Sequence, residues 1–242
     1  MSNPWKLYDM LIGSVHETAR VSRILFGKSW VRAELEDGRL GMAAVHPGPI
    51  PQAEEYEGRT ARDVIPGIKS WNWNSAAASL AVLNACVNRA ERFPVKGEPD
   101  AFLRYRDRCA GKKVAVIGHF AYLENRLKDL CDLYVLERMP KEGDWPDPAC
   151  EYLLPGMDVV YITGSALANK TLPRLLELSR NAFTVISGPS TPMSRVLLEN
   201  GADSLCGFCV CSEPLSRGAV LENNGIFQSG QMLCLEKEGK GE

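Results

Sequence analysis

The chain has 242 residues, 45% hydrophobic and 24% charged, with a formal net charge of −2. Those proportions belong to a globular protein without the basic excess that holds nucleic-acid phosphates, and no apolar run approaches the ~20 residues that span a bilayer. Met1-Ser2-Asn3-Pro4-Trp5-Lys6 lacks a basic stretch followed by an apolar core, so no secretory leader is read and a cytoplasmic location is expected.

Pro4 to Phe26 reads as an amphipathic helix, with Leu7, Met10, Leu11 and Val15 at 3.6-residue spacing and Gly27 as its stop. Trp30 to Leu35 alternates, Asp37-Gly38 makes a turn, and Leu40 to Val45 resumes, which predicts a β-hairpin. Pro47, Pro49 and Pro51 break the pattern. Gly58 to Ile65 predicts a short helix capped by Thr60, and Ser75 to Arg92 a longer one. On that helix Ala77, Leu80, Ala81, Asn84, Ala85 and Asn88 share one side, small enough for another backbone to approach.

A polar linker follows from Pro94 to Asp100, and Asp100 is placed to cap a helix running to about Cys109. Strands are predicted at Val114–Ile117, Leu133–Leu136, Asp158–Ile162 and Thr184–Ser187. Helices are predicted at Glu124–Cys131, Leu172–Arg180 and Met193–Glu199, and two late strands at Ser204–Val210 and Ile226–Leu235. This alternation predicts an α/β fold: a Rossmann-like, doubly wound, mostly parallel sheet over residues 96–242, preceded by a smaller α+β domain over 1–95. The tail from Lys237 to Glu242 reads as frayed.

In such a sheet the ligand edge lies outside the carboxyl ends of the strands. Gly118-His119-Phe120 ends the first strand of the second half, and lacks the three spaced glycines of a pyrophosphate-binding turn. NAD and FAD are therefore not expected, while a ligand without pyrophosphate is allowed. Glu137 closes the next strand where an acid can accept ribose hydroxyls, and Asp144 sits in the loop after it. Thr163, Gly164, Asn169 and Thr171 follow the third strand and offer hydroxyls, an amide and a helix start. Gly188, Pro189, Ser190 and Thr191 form a loop stiffened by two prolines after the fourth. His119 is either a general base, a metal ligand or a hydrogen-bonded structural residue. His46, between a strand and Pro47, favours no role.

Eight cysteines are present. Cys206, Cys209 and Cys211 lie on one presumptive strand with no distal pair of ligands, so they are read as strand thiols and not as a zinc site. No catalytic residue, metal ligand or cofactor is assigned from these patterns.

Two sets of residues carry a resemblance. One is Val114 to Phe120 with Glu137, Asp144, Pro155, Asp158, Thr163 to Ala166, Asn169 to Thr171 and Gly188 to Pro192. The other is Ser75 to Ala85. Together they resemble the putative heavy-metal chelation family of two-domain prokaryotic proteins. The resemblance implies an enolase N-terminal-like domain, then a Rossmann-like domain related to methyltransferase sheets, with a cleft between them. It also implies metal chelation or the processing of a pterin-, flavin- or siderophore-like molecule.

The expected activity is binding or processing of a small polar metabolite, one that chelates a metal under the resemblance. Asn72, Asn74 and Asn84 would reach in from the N-terminal half, with Trp71 and Trp73 as an aromatic wall. An enzyme using an adenosyl cofactor, with Glu137 on the ribose, is a second reading. A metal-binding protein without catalysis is a third. The partners expected are a small molecule and, with it, a metal ion. Neither nucleic acid nor membrane is expected, and self-association is left open.

Overall fold

The structure, a computed structural model, describes residues 3–94, 97–120, 126–211 and 229–238. Its strands are β1 (Val21–Phe26), β2 (Trp30–Leu35), β3 (Leu40–Ala44), β4 (Lys113–Ile117), β5 (Asp132–Glu137), β6 (Trp145–Pro146), β7 (Val159–Thr163), β8 (Phe183–Ser187), β9 (Ser204–Val210) and β10 (Gly230–Glu236). They join in one sheet of order β1-β2-β3-β9-β8-β7-β4-β5-β6, with β10 paired to β9. From β9 through β6 every neighbouring pair is parallel. The chain starts this region at β4, steps outward to β5 and β6, then returns to β7 and steps the other way. The reversal between β4 and β7 is the place where doubly wound sheets open a crevice.

The N-terminal strands are antiparallel, and they extend the same sheet. β9 pairs with β8 through Ser204 to Cys206 and meets β3 at the single register pair Leu40↔Val210. The sheet is therefore mixed: parallel in the C-terminal part, antiparallel at the N-terminal edge and at β10.

Helices α1 (Lys6–Gly13), α2 (Ala61–Val64), α3 (Trp73–Val87), α4 (Ala101–Arg104), α5 (Arg106–Cys109), α6 (Cys150–Leu153), α7 (Leu172–Leu178) and α8 (Arg195–Glu199) cover the sheet. Alternation along β4 sorts its residues between two apolar layers. Ala115 and Ile117 join the layer under α1, α3, α7 and α8, while Val114 and Val116 face Phe102 and Cys109. The larger layer runs without interruption from Leu7 and Leu80 to Leu172 and Leu197. α3 lies directly on β3: a Cβ at Gly41 would collide with Ala81 O and Ala85 N. The small face of α3 serves that approach.

The helix expected over Pro4–Phe26 is corrected. α1 ends at Gly13, and Val21–Phe26 is strand, with Val21 and Ile24 buried and the ladder running along β2. Pairing with β2 outweighs the helical spacing upstream. α3 also begins two residues earlier than expected and stops at Val87, because Asn72 caps it and the Asn88 side chain is bonded elsewhere. Residues 124–125 of the helix expected at Glu124–Cys131, 226–228 of the last strand, and 239–242 of the tail lie outside the described residues. No helix among the described residues is long and apolar enough to cross a membrane.

Candidate functional site

The loops after β4, β5, β7 and β8 gather at one edge. Gly118 and Gly188 have φ of +97° and +101°, backbone that a side chain would strain. A Cβ on Gly118 would stand 3.0 Å from the Thr163 methyl, so the ends of β4 and β7 touch at the reversal point. Gly164 in turn lies against the backbone of Ser190 and Thr191.

Two carboxylates organise the β4 and β5 ends. Glu137 accepts the His119 N–H at 3.1 Å and the Arg138 N–H at 3.0 Å. Asp144 accepts the Lys141 N–H at 2.8 Å and stands 2.6 Å from His119 Nε2. Its side chain is only 7% exposed, against 34% for the imidazole, so the histidine offers its free surface outward. Partial burial pushes the Asp144 carboxyl up, but the Lys141 N–H and the His119 ring more than offset this and hold it below the usual range.

Beside them the two halves of the chain meet. Arg138 is held by Asp147 at 2.7 Å, and its guanidinium lies 4.8 Å from the ring centre of Trp73, the first residue of α3. His46 packs edge-on against the same indole at 5.8 Å. The backbone N–H of His46 is donated to Asn74, whose amide donates back to the carbonyls of His46, Gly48 and Pro49. His46 Nε2 is buried with no hydrogen-bond partner. Burial, then the charges of Arg138 and Lys170, push this imidazole down to about 4, so it is neutral at pH 7.

Lys170 completes the group. It is half-buried, donates to Ala168 O at 2.6 Å, and takes a φ of +72°, a left-handed backbone that lysine rarely adopts. Burial pushes its ammonium down to about 8. No carboxylate stands within ion-pair distance of it among the described residues.

The expected site residues thus separate into two groups. Gly118, His119, Glu137, Asp144, Thr163 and Gly164 share the rim. Phe120 packs on Phe102 at 5.2 Å, and its ring stands 3.5 Å from where a Cβ on Gly188 would be. Asn72 caps α3, and Asn74 holds the 46–49 loop. Asn169 accepts from both the N–H and the hydroxyl of Thr171, closing its own loop.

The Gly188-Pro189-Ser190-Thr191 loop is an internal joint. Ser190 accepts the Ala44 N–H at 2.8 Å, Asn84 donates to Met42 O and Pro189 O, and Thr191 is fully buried. Asn88 finishes the joint by donating to Thr191 O and Phe208 O and accepting from Met193 N.

Arg138, Lys170 and His46 were not selected from sequence as site residues. Lys170 stands inside the Asn169-Lys170-Thr171 motif, but its left-handed backbone is visible only in three dimensions. Two open hollows lie elsewhere, one beside Arg39 and Cys211, the other beside Tyr105 and Glu236. Their carboxylates are already paired, Asp37 to Arg39 and Glu236 to Arg104 and Tyr105. Among the described residues no three His, Cys, Asp or Glu side chains converge as a metal cage. His119 and Asp144 supply two donors bonded to each other, which does not fit a resident ion.

These features define an α/β protein whose mixed sheet carries a charged, aromatic-walled rim at its parallel carboxyl edge. The chain belongs to the family described as Putative heavy-metal chelation, whose two parts match residues 8–87 and 100–231. A crystal structure of a protein of unknown function from the same family, from Desulfitobacterium hafniense DCB-2, is 35% identical with a TM-score of 0.89. That similarity covers 98% of this chain and 100% of the other. A second, from Pyrococcus horikoshii, is 19% identical with a TM-score of 0.78 over 97% and 99%, and shows the fold alone. An uncharacterised protein of Methanocaldococcus jannaschii is 36% identical over 118 residues, 46% of this chain and 45% of its own length. The match thus spans less than half of that relative.

Proposed function

We propose that the rim binds a small, flat, polar metabolite between the two halves, with an anionic or metal-chelating end. The observation that carries this is the meeting of Trp73 and His46 from one half with Arg138 and Lys170 from the other. The indole gives a face for a planar ring. Lys170 and Arg138 give positive charge, and His46 Nε2 gives a buried polar atom awaiting a partner. Glu137 would take donors on the opposite side of the ligand, beside the outward face of the His119 ring that Asp144 holds. Any metal would arrive with this ligand as cargo or substrate, since no cage of donors forms among the described residues.

In this reading the first half is an enolase N-terminal-like unit and the second a Rossmann-like unit. A pterin-, flavin- or siderophore-like molecule would match the positive charge and the indole of the rim. The strand reversal between β4 and β7, with Glu137 at the end of the adjacent β5, favours one second reading: an adenosyl ligand with its ribose on Glu137.

A thermal-shift panel on the full chain separates these, because a ligand bound only by the folded state raises its melting point. The panel contains pterin and flavin carboxylates or phosphates, a catechol chelator with and without ferric ion, adenosyl compounds, and divalent metals alone. The first reading expects stabilisation by a planar anion that is lost in both Trp73→Ala and Lys170→Met. Stabilisation by adenosyl compounds that is lost in Glu137→Gln would select the second. Stabilisation by metals alone, unchanged in Trp73→Ala and Lys170→Met, would remove both.

A further inference from the structure

On the far side of β9 from β8, two cysteines face one another. β9 and β10 are antiparallel, and their register sets Cys206 opposite Cys234. The ladder closes with Cys211 N–H donating to Ser229 O and Lys237 N–H donating to Asp203 O. In an antiparallel ladder hydrogen-bonded pairs alternate with non-hydrogen-bonded pairs. Counting inward from either end puts Cys206 and Cys234 at a non-hydrogen-bonded pair, the kind in which opposing side chains stand closest. Their sulfurs are 3.8 Å apart. Cys206 is fully buried in the layer with Tyr161 and Val185, while Cys234 is half-buried and reaches the surface.

We propose that Cys206 and Cys234 are a reversible redox pair, closed to a disulfide by a low-molecular-weight disulfide. A bonded pair needs the sulfurs at about 2.05 Å, with Cα atoms about 4.4–6.8 Å apart, which a non-hydrogen-bonded pair already meets. A side-chain rotation therefore closes the bond without moving a strand. Cys234 gives its proton to water, and its thiolate attacks one sulfur of the small disulfide, giving a mixed disulfide and releasing one small thiolate. That thiolate takes the proton of Cys206. The Cys206 thiolate then attacks the Cys234 sulfur and expels the second small thiolate, which is protonated by water. The protein loses two electrons and two thiol protons, and the small disulfide becomes two thiols.

The surroundings suit this order. The half-exposed Cys234 is the one an incoming disulfide can reach, and its thiol is pulled down by the hydrogen bond with Cys206 and by the Arg104 charge. Cys206 is the resolving partner, shielded from direct attack. Its carbonyl accepts the Gly188 N–H at 2.9 Å, so the bond would tie β10 to the strand that supports the 188–191 joint.

The test uses the full chain, incubated with oxidised glutathione, blocked with iodoacetamide and mapped by mass spectrometry. Chymotryptic cleavage after Phe208 separates Cys206 from Cys209 and Cys211. The expected product is a Cys206–Cys234 cross-link, two hydrogens lighter than the reduced pair, reversed by dithiothreitol. Its thermal midpoint should stand several degrees above that of the reduced chain, and the same cross-link should form in Cys211→Ser. In Cys206→Ser the reaction should stop at glutathionylated Cys234. If Cys211 is glutathionylated while no Cys206–Cys234 bond forms, the proposal fails. If Cys234 stays unmodified in Cys206→Ser while Cys211 reacts, the assigned order fails. Should Cys206→Ser not fold, Cys234→Ser serves instead: it must lose the two-hydrogen shift, and keeping it would overturn the pair.

Discussion

Asn88 joins the two halves through three buried hydrogen bonds, and removing its amide gives a quantitative test. In Asn88→Ala three buried backbone groups lose their partner: the carbonyls of Thr191 and Phe208 and the N–H of Met193. Each lost bond costs about 1 kcal/mol net, and a buried group left unsatisfied costs about 1–3 kcal/mol. Asn88 is only 2% exposed, so water has little access to repair the gap. Three groups left unsatisfied at that cost sum to roughly 3–9 kcal/mol. For a chain of this size 1 kcal/mol moves the melting point by about 2–4 °C, so the midpoint should fall by on the order of 10 °C. Urea unfolding gives the free energy directly. Asn88→Asp should be no better, since it keeps an acceptor for Met193 but turns carboxylate oxygen towards two carbonyls. A loss under about 1 kcal/mol with unchanged denaturant slope would refute the reasoning, because it would mean that the joint relaxes or hydrates freely.

Gly41→Ala should destabilise by about 1–3 kcal/mol, because its methyl meets the α3 backbone and neither element can yield alone; the urea midpoint measures it. His46 binds its proton only near pH 4 when folded but near 6.5 when unfolded, so the unfolded chain holds more protons between those values. The stability this group gives is complete above pH 6.5 and lost as pH falls through 4; His46→Gln should flatten that part of the acid limb in pH-dependent urea melts. Lys170 titrates near 8 when folded against 10.5 unfolded, so its contribution is complete above 10.5 and lost as pH falls through 8. Parent stability should therefore rise relative to Lys170→Met between pH 8 and 10.5, and parallel curves there would show that the ammonium is not buried.

The sheet was legible because β-branched runs such as Val159–Thr163 and Phe183–Ser187 can hardly form anything else, and each ends at a polar loop. Val21–Phe26 was not, because its neighbours carry a helical spacing and only the ladder with β2 decides the matter. Two-residue β6 was invisible for its length. Glu137, His119 and Asp144 could be named because strand ends announce themselves. Ser190 and Thr191 were equally visible as hydroxyls, yet a sequence does not show to whom a hydroxyl is bonded. Here Ser190 serves Ala44, distant in the chain. For the same reason Trp73, Arg138 and Lys170 could not be grouped in advance: they come from three separate elements.

The single register pair between β3 and β9 also bears on how the chain is made. Leu40 has its neighbour Val210 only after about 170 further residues have been synthesised, on the order of 10–30 s at typical elongation rates. Throughout that interval the nascent N-terminal half carries β3 as an open edge, the kind of surface on which foreign strands nucleate. Its sequence, Leu-Gly-Met-Ala-Ala, is poor in the β-branched and aromatic residues that drive such pairing, and the docking of α3 onto Gly41 can precede arrival of β9. The glycine that lets the helix approach closely would thus fix β3 to α3 on the ribosome before its partner strand exists, while leaving that edge open.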